Sequence, residues 1–94
     1  MVSPHFIFLW RRNNLSHSRL GITVTKRVAP AVGRNRVKRL VREAFRLAFA
    51  SKRPCPKGVD LVVIAKRGSP SWRYAQVAQE MLDALERIHR ELQA

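Results

Sequence analysis

The chain has 94 residues, room for one small domain with a thin core. Its apolar share of 46% and charged share of 27% are ordinary, but nineteen Lys and Arg against six Asp and Glu leave a net charge of +13. That surplus points to nucleic acid first and to an anionic membrane surface second. The single cysteine, Cys55, excludes an intramolecular disulfide and a cysteine-based metal site. No stretch approaches the ~20 apolar residues of a membrane span.

In chain order, residues 5–12 read as a strand with Phe6, Phe8 and Trp10 on one side and Ile7 and Leu9 on the other. This apolar run is short and follows Ser3-Pro4, so it is no signal peptide, and a cytoplasmic location is expected. The polar segment 12–18 reads as a turn, which predicts a hairpin into the next strand. Residues 19–27 alternate, with Leu20, Ile22 and Val24 facing one way and Gly21, Thr23 and Thr25 the other. After Pro30, residues 31–49 form one amphipathic helix. Val37, Leu40, Val41, Ala44, Phe45, Ala48 and Phe49 recur at i, i+3, i+4 and i+7, while Asn35, Arg39, Arg42 and Arg46 fall on the opposite side, with Lys38 and Glu43 at its margins.

Residues 51–58 are a loop by composition, and 60–65 are continuously apolar after Asp60, as a central strand would be. Ser69 and Ser71 supply caps for a last helix over roughly residues 72–92, with Ala78, Met81, Leu82, Leu85, Ile88 and Leu92 as its stripe. The order strand, strand, helix, strand, helix predicts an α+β fold: a small two-layer sandwich of helices on a mixed sheet, with the whole chain as one domain.

The charge is concentrated. Residues 1–67 carry sixteen basic and two acidic side chains, whereas residues 68–94 carry three and four. Catalysis by the protein alone is poorly provided for. A two-metal nuclease site needs several converging carboxylates, yet Glu80, Asp83, Glu86 and Glu91 all lie on the last helix, where Asp83–Arg87 and Glu86–Arg90 have the spacing of surface ion pairs. Spacing identifies no constellation of His5, His17 or His89 with an acid or serine, and neither a metal site nor a protein-bound cofactor is expected. Binding is better served. Arg34, Arg36, Lys38, Arg39, Arg42 and Arg46 are opposed within the helix only by Glu43, so an external polyanion is the natural counter-charge, with Asn35 as a neutral donor and acceptor among them. Arginine suits bidentate phosphate contacts and base stacking. Thr23 and Thr25 beside Lys26 and Arg27, with Phe6, Phe8 or Trp10 near them, could floor a single-stranded site, and the alternative for the three aromatics is plain core. Lys66 and Arg67 either extend the basic surface or only terminate the strand.

Residues 19–27 (RLGITVTKR), the helix block 31–46 (AVGRNRVKRLVREAFR) and the strand block 60–68 (DLVVIAKRG) resemble the protein component of bacterial ribonuclease P, with Arg34-Asn35-Arg36 similar to that family's signature triplet. The resemblance spans about residues 6–92. It implies a protein partner of a catalytic RNA, whose Mg²⁺ ions cleave the 5′ leader from precursor tRNA while the protein helps position substrate and metal. One protein with one RNA is implied, without a membrane role. Arg34, Asn35, Arg36, Lys38, Arg39, Arg42 and Arg46, with Lys26, Arg27, Lys66 and Arg67, would face RNA. Thr23, Thr25, Phe6, Phe8 and Trp10 would belong to the leader cleft. The resemblance also implies a left-handed crossover between the two parallel strands, against the usual hand. Family members ordinarily carry a helix and a strand ahead of residues 6–10, and both are expected to be missing here. Two other classes fit the charge: a general RNA- or ribosome-binding module without a role in cleavage, and a peripheral membrane protein. The strands, and the need for Phe45 and Phe49 to cover a sheet, weigh against the latter.

Overall fold

The strand at Val59–Ala65 organises the molecule, because it is apolar on both faces and can accept a neighbour on each edge. The computed structural model describes residues 1–27, 30–51, 53, 55–66 and 73–94. Its elements are β1 (Phe6–Arg12), β2 (Arg19–Thr23), α1 (Ala31–Ala50), β3 (Val59–Ala65) and α2 (Tyr74–Gln93). They form an α+β fold with a mixed three-stranded sheet in the order β1-β3-β2. β3 runs antiparallel to β1, from Phe6 opposite Ala65 to Arg12 opposite Val59, and parallel to β2, from Arg19 opposite Asp60 to Thr23 opposite Ile64.

The expected hairpin between the first two strands does not form. β1 and β2 lie on opposite edges, each paired to β3. The polar turn between them is spent on the approach to β3. Asn13 Oδ1 accepts from the Leu15 amide at 2.8 Å, the Asn13 amide donates to the Gly58 carbonyl at 2.9 Å, and Ser18 Oγ donates to the Pro56 carbonyl at 2.9 Å. Gly58 has φ +72°, and a Cβ there would stand 2.8 Å from the Leu15 carbonyl oxygen, so the close approach of these two loops calls for glycine.

Period-two alternation splits the sheet. Phe6, Phe8, Leu61 and Val63 are at most 1% exposed, whereas Leu9 and Val62 are 52% and 37% exposed. Both helices cover the first set. Val37, Val41, Ala44 and Ala48 of α1 and Val77, Met81, Ala84, Leu85 and Ile88 of α2 join Phe6, Phe8, Val59, Leu61 and Val63 in one core. Burying a side chain as large as Phe8, Leu85 or Ile88 is worth about 1.5–3 kcal/mol. Leu40, Phe45 and Phe49 pack at its margin.

β2 ends at Thr23, earlier than the expected residue 27. Thr25, Lys26 and Arg27 are exposed beyond the strand. α2 starts at Tyr74 with Arg73 at its N-cap and no side-chain capping bond. The expected caps Ser69 and Ser71 lie outside the described residues. The two ion pairs expected on α2 are replaced. Arg87 takes Glu91 at 3.5 Å, which offers the same spacing as Asp83; Asp83 accepts from Gln79 Nε2 at 2.9 Å; and Glu86 meets Arg53 across the surface at 3.9 Å.

Candidate nucleic-acid interface

With Val37, Val41, Ala44 and Ala48 turned into the core, the helical repeat sends Asn35, Arg36, Arg39, Arg42 and Arg46 to solvent, while Arg34 and Lys38 are half-buried. No acidic residue stands in the first turn of α1. The positive end of the helix dipole therefore adds to the arginines there instead of being offset. The only acid on this helix is Glu43, which binds Arg46 with an N···O distance of 2.5 Å. That hydrogen bond holds the Glu43 carboxyl below its ordinary value and the Arg46 guanidinium above its own, with Tyr74 adding a smaller push on Arg46.

Arg36, Arg39, Arg42 and Arg46 form one wall of an open groove of about 640 Å³, with Leu40 and Glu43 beside them and Tyr74, the first residue of α2, closing it. Sequence reading missed Tyr74. The available signal was an aromatic residue at the head of a helix that packs beside a basic one.

The remaining expected contacts divide. Lys26 and Arg27 are exposed after β2. Lys66, half-buried at the end of β3, donates its ammonium to the Ser3 carbonyl at 3.1 Å. Arg67 lies outside the described residues. The aromatic floor is corrected: Phe6 and Phe8 are core, and Trp10 is half-buried against it. Thr23 does sit on the open face, which is otherwise built from Ile7, Leu9 and Arg11 of β1, Asp60, Val62 and Ile64 of β3, and Arg19 and Gly21 of β2. The face is aliphatic at its centre and charged at one end. There Asp60 accepts from Arg19 Nε and a second guanidinium nitrogen, each at 2.7 Å, and from Asn13 at 3.0 Å, with Arg11 at 3.7 Å. These bonds, Arg19's first, hold the Asp60 carboxyl well below the usual carboxylate range.

Sequence reading also missed the cluster at the chain's start. Glu80 is only 6% exposed, and its carboxylate accepts from Ser3 Oγ, from the His5 amide at 2.8 Å and from His5 Nδ1 at 2.7 Å. Its position three residues after Val77 and four before Ala84 already places it on the inward arc of α2. Ser3 and His5 each bond Glu80, so the three do not form a nucleophile–base pair. Burial pushes the Cys55 thiol up, away from reactivity. Among the described residues no group of three or more His, Cys, Asp or Glu could hold a metal ion, and no helix is long and apolar enough to cross a membrane.

The sequence model of the family described as Ribonuclease P matches residues 1–89. The chain belongs to the ribonuclease P protein family. It is 46% identical over 79 residues to the ribonuclease P protein component of Syntrophus aciditrophicus (strain SB), covering 84% of this chain and 64% of that relative. It is 50% identical over 68 residues to that of Aliivibrio fischeri (strain ATCC 700601 / ES114), covering 71% of this chain and 55% of that relative. The matched part of the chain thus spans less than two thirds of these ribonuclease P relatives. The fold superposes on the RNase P protein from Thermotoga maritima, in a complex with 1-(4-fluorophenyl)-2-thiourea, with a TM-score of 0.82 at 35% identity, over 93% of this chain and 82% of that one.

Proposed function

We propose that the chain is the protein subunit of ribonuclease P, binding its catalytic RNA through α1 and assisting Mg²⁺-dependent removal of the 5′ leader from precursor tRNA. The observation that carries this reading is the arginine wall of α1, solvent-facing, with Glu43 its only acid, in a chain of this family. Arginines at one-turn intervals match successive phosphates and release condensed counterions on binding, which supplies affinity without base readout. Guanidinium forks hold phosphate oxygens in pairs and so fix the orientation of the protein on the RNA. In the assembled enzyme the Mg²⁺ ions belong to the RNA and stabilise the charge that develops at the cleaved phosphodiester. The protein's part is to lower the repulsion between the two RNAs and to hold the substrate in place. One protein per RNA, acting in the cytoplasm, is the simplest arrangement.

The test is reconstitution. At low Mg²⁺, the protein with its cognate catalytic RNA is expected to cleave precursor tRNA faster than the RNA alone. Equal rates would overturn the reading. The aliphatic character of the open sheet face favours a second reading, a module that binds structured RNA without engaging the leader. Under that reading the catalytic RNA is bound but its rate does not rise.

A further inference from the structure

A row of guanidinium groups that only tracks phosphates needs no apolar floor. The groove beside α1 has one. Leu40, half-buried on α1, and Tyr74, at the start of α2, lie between the helices next to Arg36, Arg39, Arg42 and Arg46. Its volume of about 640 Å³ falls within the ~300–1,000 Å³ of small-molecule pockets. Tyr74 is the chain's only tyrosine, and it packs on the core at one edge while lining the groove. Double-stranded RNA would offer this groove phosphates and 2′-hydroxyls, with its bases stacked out of reach. An unpaired nucleotide offers both things the groove can hold: a flat apolar base for the tyrosine ring, and phosphates on either side for the arginines.

We propose that the groove between α1 and the head of α2 receives one unpaired nucleotide of the bound RNA, its base stacked on Tyr74 and its flanking phosphates held by Arg39, Arg42 and Arg46. The inference rests on the RNA-binding reading given above and adds to it the kind of RNA element recognised: a bulge or loop instead of continuous duplex. On the groove wall the Arg46 guanidinium donates two hydrogen bonds to Glu43, a pair with which a bound phosphate competes.

The experiment titrates the full chain with two RNA hairpins, identical except that one carries a single bulged uridine, at several KCl concentrations. The bulged hairpin is expected to bind roughly tenfold more tightly, as one stacked base provides. Tyr74→Phe keeps that preference. Tyr74→Leu, which retains apolar bulk without an aromatic face, brings the bulged hairpin to the level of the paired one and leaves the salt slope unchanged, because no ionic contact is lost. With 4-thiouridine at the bulge, the unaltered protein is expected to crosslink through the peptide that contains Tyr74. Equal affinity of the unaltered protein for the two hairpins, a preference that survives Tyr74→Leu, or crosslinks confined to other peptides would overturn the proposal. Failure of the unaltered protein to bind either hairpin would instead bring down the RNA-binding reading beneath it.

Discussion

α1 and α2 are matched in length, twenty residues each, and both send an apolar stripe into the same core, yet their polar faces are used in opposite ways. On α1 six basic residues meet one acid, and that acid is committed to Arg46. On α2 four acids stand against two arginines, and the charges are spent within the protein: Arg87 on Glu91, Glu86 on Arg53, and Glu80 turned inward onto Ser3 and His5. Amphipathicity fixes that a helix packs; the sign and internal balance of its outer face decide whether it is a docking surface or a scaffold.

Three variants can break or sharpen that contrast. The largest effect is expected inside the scaffold helix. Glu80→Ala removes the acceptor shared by Ser3 and His5 from a nearly water-free site and is expected to lower stability by about 2–4 kcal/mol, read from thermal melting. RNA affinity at equal folded fraction should stay where it was. A large loss of affinity at full folding would erase the distinction between the helices. Next comes Arg39→Ala with Arg42→Ala on α1, which should leave the melting temperature nearly unchanged but flatten the plot of log affinity against log salt by about two units, one for each phosphate contact. An unchanged slope would mean that the arginine wall is only a solvated face. The smallest effect belongs to Glu43→Gln. Releasing Arg46 from an exposed pair should tighten RNA binding by roughly twofold in filter-binding titrations. Weaker binding would show that Glu43 serves chiefly to aim Arg46.

Much of this was legible in the amino-acid order. Val37, Val41, Ala44 and Ala48 have a spacing that only a helix can bury on one side, and that spacing alone turns Arg39, Arg42 and Arg46 outward. The run from Leu61 to Ala65 announced a central strand for the same kind of reason. Pairing was less legible. Asn13 and Asn14 mark a chain reversal, but a reversal does not say whether the strands on either side will touch, and here β3 comes between them. Phe6 and Phe8 had a correct alternation and an undetermined face, since period two says which residues go together and not which set the helices will cover. Glu80 was read by its charge when its position on the helical wheel was the better guide. Tyr74 gains its meaning only from α1, with which it shares no sequence pattern.

The pairing scheme has a consequence for how the chain reaches this state. With β1 and β2 both joined to β3, no hairpin connects the three named strands, and every rung between them links residues about forty or more positions apart, whereas the Val2–Ile7 bridge on the edge of β1 is local. Pairing among these three strands therefore has no hairpin from which to zip. Each rung requires closing a loop that contains all of α1, an entropic cost that slows folding in proportion to such long-range order. Helix α1 can form from local contacts alone and hold the two halves of the chain near each other, so the segment that carries the arginine wall in the finished protein is also the one best suited to begin its assembly.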